Sequence, residues 1–431
     1  MLERRNVSLN LNVRGLRHSA TLEVNQQVRR LRAEGRKVHN LGLGESPFPV
    51  PDPMVEALRL NASKKQYLPV EGLPELREAI AAHRKRTQGV ATEAEQVLVG
   101  PGSKELLFLL QLSFYGDLIV PSPCWVSYTP QGQIVGHKVR FVGTDPGNGW
   151  KVTPDGLAAL FEEDRDRYRP RLFVLNYPAN PTGVAYSADE LRAIGEVARE
   201  YEVLILSDEI YSGLHHAGEH VSIARYYPEG TIVLNGISKW GGAGGWRLGA
   251  FLFPPDLRWL QDAMAAVASE TYTSVCTPVQ YAAVRAFESG MRMERYLSHT
   301  RRILRDATGA CHRILTEAGV DVVRPDGAFY LFPDFGRFRR RLARRNIRTS
   351  RALCDALLEE AGVAMLPGSD FQRPREEFTG RMSLVDFDGA KAMAKSEEVG
   401  PDKELPEDFL DLCCGDLLEA MRAVVDWLGP R

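Results

Sequence analysis

Ser238-Lys239, a glycine-rich run and then Gly245-Trp246-Arg247 set an amine and a guanidinium at a fixed short separation. An ε-amine can condense with a carbonyl, and a guanidinium can hold a phosphate through two parallel N–H bonds, so the pair suits a phosphorylated carbonyl compound. Taken alone, the stretch also reads as a solvated lysine beside a flexible loop of Gly241, Gly242, Gly244 and Gly245. Other reactive groups stand upstream: Asn180-Pro181-Thr182-Gly183, then the carboxylate of Asp208 and the phenol of Tyr211. Gly102-Ser103-Lys104 opens the helical run Glu105-Leu106-Leu107-Phe108-Leu109-Leu110, whose unpaired first amides and positive end would make an anion site.

These groups need elements to hold them. Apolar runs at 203–206 and 231–234 read as buried strands of a parallel sheet. Asp208 and Lys239 therefore fall just past the carboxyl ends of strands, where open α/β sheets bind ligands.

Further motifs keep this order along the chain: Gly44-Glu45-Ser46-Pro47, Tyr67 before Gly72-Leu73-Pro74-Glu75-Leu76-Arg77, and Pro121-Ser122-Pro123-Cys124-Trp125-Val126-Ser127-Tyr128. After Arg247 come Gly327-Ala328-Phe329-Tyr330 and Arg381-Met382-Ser383. Together they make the chain resemble the fold-type-I pyridoxal-phosphate enzymes, specifically the class I/II aminotransferases and their aspartate-aminotransferase-like subgroup, over residues 19 to 386.

The resemblance implies pyridoxal 5′-phosphate as cofactor, with Lys239 as its Schiff-base partner and, once displaced by substrate, as the amine that moves the proton. Asp208 would keep the pyridine nitrogen protonated, although an aspartate after a strand is also an ordinary helix cap. Tyr211 and Asn180 would donate to the cofactor's 3′ oxygen. The amides of Gly102, Ser103 and Lys104, with Ser238 and Arg247, would hold the phosphate, and Trp125 would stack on the ring. Arg381 would fork onto the substrate α-carboxylate in preference to Arg373 or Arg375, with Asn180 and a Gly44 backbone contact at the same end. Gly44 reads equally as a turn glycine. Tyr67 would reach the phosphate of a neighbouring subunit, which implies a homodimer with a shared site, or else is an ordinary half-buried tyrosine. Lys104 either selects a substrate's distal carboxylate, aspartate or glutamate, or is a solvated lysine at a helix start. Transfer of the amino group between an L-amino acid and a 2-oxo acid by a ping-pong route is the implied activity. Elimination, decarboxylation or oxidation on the same cofactor stays open, because these residues set up a carbanion without fixing its fate.

The 431 residues, 44% of them hydrophobic, suffice for two domains, and the net charge of −2 gives no reason to expect nucleic acid or a membrane as partner. Met1-Leu2-Glu3-Arg4-Arg5-Asn6 lacks a signal peptide's apolar core, so the cytoplasm is expected. Six cysteines without metal-ligand spacing are read as reduced. His215, His216 and His220 are read as surface residues of an irregular loop and not as a metal cluster.

The expected fold is α/β. A large cofactor-binding domain at 38–290 has a mostly parallel central sheet flanked by helices, and a smaller α+β domain combines 1–37 with 291–431. Helices are predicted at 24–34, 296–318 and 410–428, with strands of the smaller domain within 322–330 and 363–366. The segment 389–408, rich in Lys, Glu and Pro, reads as a charged loop that departs from the family pattern.

Overall fold

The computed structural model describes residues 9–16, 19–164, 166, 168–288, 290–401 and 403–429. The opening segment read for a signal peptide, Met1 to Asn6, lies outside these residues. After a helix at Ala20–Ala33, β1 (His39–Asn40) precedes the strands of the main sheet. These are β2 (Val97–Gly100), β3 (Asp117–Ser122), β4 (Val139–Gly143), β5 (Arg171–Asn176), β6 (Leu204–Asp208), β7 (Thr231–Gly236) and β8 (Gly249–Leu252). Their spatial order is β2-β8-β7-β6-β5-β3-β4. The pairs from β7 through β4 are parallel, while β8 runs antiparallel to both β7 and β2.

The apolar runs form strands because both faces of the sheet are covered. Along β5, Leu172 and Val174 enter one core and Phe173 and Leu175 the other, the period of two that a strand imposes. The first core is completed by the helices Ser103–Ser113 and Arg258–Thr271, the second by Pro154–Glu162 and Ala188–Glu200. Burial on both faces explains why these strands carry continuous apolar runs instead of alternating ones.

A 27-residue helix, Met291–Glu317, leads away from this sheet. Beyond it lie β9 (Tyr330–Leu331), β10 (Val363–Ala364), β11 (Leu366–Pro367) and β12 (Gly380–Ser383). β11, β12 and β9 form an antiparallel three-stranded sheet, and β10 pairs in parallel with β1. The strand expected within 322–330 is reduced to Tyr330 and its successor, because the preceding residues make only isolated bridges such as Asp321 to Asp334.

Two other expectations are corrected. The segment read as a charged loop contains a helix, Gly389–Val399, whose N-cap Asp388 accepts from the Lys391 amide; Ala392, Met393 and Ser396 supply its buried face. His220 is not a surface residue: it is 8% exposed, with Nε2 at 3.1 Å from Glu209 Oε2. His216 is partly buried, its Nε2 at 3.1 Å from the Ala328 carbonyl. Among the described residues no group of His, Cys, Asp and Glu could hold a metal ion, and no helix is long and apolar enough to cross a membrane.

Candidate active site

Strand ends supply the site. Asp208 terminates β6, Lys239 follows β7, Asn180 follows β5, and Gly102 and Ser103 follow β2 as the helix Ser103–Ser113 begins. β12 brings Arg381 in from the smaller sheet, and its register sets Ser383 opposite Tyr330. A cavity of about 470 Å³ forms where they meet. Gly44, Ser103, Lys104, Trp125, Asn180, Asp208, Tyr211, Ser238, Lys239, Arg247 and Arg381 all line it. Of the residues singled out in the sequence, Gly102 and Tyr67 do not. Gly102 packs against Arg247, and Tyr67 stands 86% exposed.

Lys239 Nζ donates to the Gly44 carbonyl at 2.5 Å and lies 5.8 Å from the centre of the Tyr211 ring. Burial lowers its pKa to about 8, helped by the positive charges of Arg381 and Arg247 and opposed by Glu45 and Asp208. Asp208, buried at the strand end, is pushed up to about 6 by desolvation, against hydrogen bonds from Tyr128 Oη at 2.6 Å and the Ile210 amide at 3.2 Å. Tyr211 and Tyr330 share a 2.6 Å hydroxyl contact.

Arg381 is 2% exposed. One terminal nitrogen donates to Gly42 O at 2.5 Å, the other to Asn180 Oδ1 at 3.4 Å, and Nε has no partner. The guanidinium carbon lies 4.9 Å from the Tyr330 ring centre and 5.3 Å from that of Phe371. A buried guanidinium held by neutral oxygens keeps unused donors for a carboxylate. Arg373, by contrast, is already engaged, its terminal nitrogen 2.7 Å from Glu377.

The other end of the cavity suits a phosphate. Ser103 and Lys104 are first-turn residues whose amides have no acceptor within their own helix. Ser238 Oγ is buried without a partner, and Arg247 stands nearby with one nitrogen on the Gly244 carbonyl at 2.9 Å. The Gly102 amide differs from the sequence expectation because it donates to Gly100 O at 2.7 Å. What Gly102 contributes is the absence of a side chain: its φ is +90°, and a Cβ there would strike the Arg247 guanidinium. Lys104, exposed on the cavity rim, lies 5.2 Å from the Trp125 ring, and desolvation followed by the Arg247 charge lowers its pKa. The residues present thus fit a group with a carbonyl near Lys239 and a phosphate near Arg247, as pyridoxal phosphate has.

Several lining residues had no role assigned from sequence. Tyr128 and Tyr330 stood inside recognised motifs, yet their hydroxyl partners are distant in the chain. Thr21 and Leu22, in the first turn of the helix Ala20–Ala33, also face the cavity, a placement helical periodicity does not reveal.

The family description "Aminotransferase class I and II" matches residues 36–389. An aspartate aminotransferase of Geobacillus stearothermophilus is 36% identical over 375 residues, covering 84% of this chain and 91% of that protein. An aspartate/prephenate aminotransferase of Thermus thermophilus is 34% identical over 368 residues, covering 84% and 91%. The solved structure of Thermus thermophilus aspartate aminotransferase with maleate superposes with a TM-score of 0.82 at 31% identity, covering 97% of this chain and 99% of that one. A 354-residue family match, full-length relatives and a carbonyl- and phosphate-shaped cavity agree, and the chain belongs to the class I and II aminotransferases, enzymes that transfer amino groups with pyridoxal phosphate.

Proposed function

We propose that this aminotransferase works on a dicarboxylic L-amino acid, aspartate or glutamate, and returns the amino group to a 2-oxo acid in a ping-pong sequence. One observation carries the choice: Lys104, Lys239, Arg247 and Arg381 surround a cavity whose acidic lining is Asp208 and Glu45. With one cation used by the phosphate and one by the carbonyl, two remain, Lys104 from the helix Ser103–Ser113 and Arg381 from β12, for two carboxylates. The names of relatives that act on aspartate support the same reading.

Bound pyridoxal phosphate supplies an electron sink for the pair released when the substrate's α-hydrogen leaves. Arg247, Ser238 and the amides of Ser103 and Lys104 would hold the phosphate, and Gly102 would let the guanidinium approach. Trp125 would cover the ring. Asp208 would keep a negative charge at the ring nitrogen, and Tyr211 with Asn180 would donate to the 3′ oxygen. Arg381 forks onto the α-carboxylate, with Asn180 and Gly44 fixing that end, and Lys104 meets the distal carboxylate. Lys239 carries the proton at the α-carbon, a task suited to an amine whose pKa lies at about 8.

The exposed Tyr67 suits a homodimer in which it reaches the partner's phosphate. A large domain at 38–290 and a smaller one from 1–37 and 291–431 accord with the main sheet falling within the first span. Free cysteines accord with the cytoplasm.

The test mixes the holoenzyme with one amino acid at a time and follows conversion of the cofactor from its carbonyl to its amine form, with Lys239→Ala as blank. Aspartate or glutamate should react at least about tenfold faster than alanine or phenylalanine. Equal rates would remove the dicarboxylate assignment, and a spectral change in Lys239→Ala would remove the lysine's role.

A further inference from the structure

Glu209 follows Asp208 and Trp240 follows Lys239, and both of these next residues line a second cavity, of about 200 Å³, separate from the substrate pocket. Arg84 reaches it from the helix Pro74–Gln88 and Arg301 from Met291–Glu317. We propose that this cavity binds a small oxyanion, a carboxylate or a phosphate, between Arg84 and Arg301.

Arg84 is 8% exposed and its Nε has no hydrogen-bond partner. A buried guanidinium donor left without an acceptor is unfavourable. Glu209 acts on it through space, but that carboxylate is shared among three other donors: it accepts from Ser207 Oγ at 2.8 Å, Ser222 Oγ at 2.5 Å and His220 Nε2 at 3.1 Å. Arg301 donates Nε to Gly213 O at 2.8 Å, which fixes the plane of its guanidinium at the cavity wall. Glu294, the other lining carboxylate, is exposed at the rim. Glu294 acts through space on Arg301, so Arg84 is the guanidinium whose only lining carboxylate is the hydrogen-bonded Glu209, and its unpartnered donor favours a bound anion. The space is also right, since a water occupies about 30 Å³ of liquid and this cavity holds a small oxyanion with a few waters. Trp240 forms part of the wall, its indole N–H donating to Asn235 Oδ1 at 3.2 Å, so occupancy has an intrinsic fluorescent reporter.

The experiment titrates the holoenzyme with acetate and, separately, with inorganic phosphate, replacing chloride at constant ionic strength, and reads Tm, tryptophan fluorescence and heat of binding. At least one of the two anions should raise Tm saturably, as mass action on a folded-state site requires. Arg84→Met should abolish the rise, and Arg84→Lys, which keeps the charge but not the fork, should weaken binding by at least about tenfold. Arg381→Leu should retain it, which separates this site from the substrate pocket. A rise that survives Arg84→Met, a rise lost in Arg381→Leu, or no saturable effect of either anion on wild type would overturn the proposal, the last outcome meaning that the cavity holds water only.

Discussion

Tyr128 Oη donates to Asp208 Oδ2 at 2.6 Å, with phenol and carboxylate both buried. Burial drives the Asp208 pKa up, and this bond with the Ile210 amide brings it back to about 6, so the phenol helps keep the carboxylate charged near neutrality. Tyr128→Phe deletes a stabilising donor and should move Asp208 higher. If Asp208 serves the ring nitrogen, the acid limb of kcat/KM shifts to higher pH; for a shift of about one pKa unit the rate falls about twofold at pH 7 and about tenfold well below pH 6. Pre-steady-state and steady-state pH profiles of the two proteins check this, and an unmoved acid limb would dissociate Tyr128 from the chemistry.

Lys239 gives the cofactor-free protein a pH-dependent stability of definite sign. Its folded pKa of about 8 lies below the ordinary 10.5, so between those values the unfolded chain holds a proton that the folded one has released. Stability then rises with pH from about 8 to about 10.5, and below that window the full penalty, on the order of 3 kcal/mol, is present. Lys239→Met should be more stable than wild type at pH 7 when both lack cofactor, with the difference shrinking toward pH 10. Paired urea unfolding across this range measures it. A difference independent of pH would mean that Lys239 is not desolvated.

Much of this was legible in the sequence because chemistry and sheet geometry constrain the same residues. Asp208 and Lys239 were placed at strand ends by the apolar runs before them, and the structure places them there. The 389–408 segment reads as a loop because its lysines and glutamates dominate the composition, whereas the few residues that make Gly389–Val399 a helix, Ala392, Met393 and Ser396, are legible only once their packing partners are known. His220 reads as a surface residue for a related reason: its partner Glu209 is adjacent to the site motif, but the strand alternation that turns Glu209 away from Asp208 carries no signal for where residue 220 lands. The Tyr128 and Tyr330 contacts span 80 and 119 residues, distances at which spacing says nothing.

Substrate choice should rest on Lys104. Its ammonium lies on the rim of the cavity beside Trp125 and feels the Arg247 charge, which makes a facing carboxylate welcome. Lys104→Ala should lower kcat/KM for aspartate by about 30-fold or more, the value of a hydrogen bond to a charged group, and leave alanine within about twofold. Equal losses for both substrates would reassign Lys104 to the phosphate end, where its backbone amide already belongs.

Gly102 offers a separate test of the phosphate end that does not involve substrate. At φ +90° an alanine is strained, and its Cβ would collide with the Arg247 guanidinium, so the chain must displace one or the other. Gly249→Ala would crowd the same corner, its Cβ coming within 2.7 Å of the Ser103 amide nitrogen. Gly102→Ala should therefore weaken pyridoxal-phosphate binding by at least about tenfold, one pKa unit's worth of free energy, while pyridoxal without its phosphate binds equally to wild type and variant. Equilibrium dialysis with both ligands separates the outcomes. Equal weakening for the two would show that the substitution disturbs the Lys239 end as well and that the two ends of the cavity are not independent.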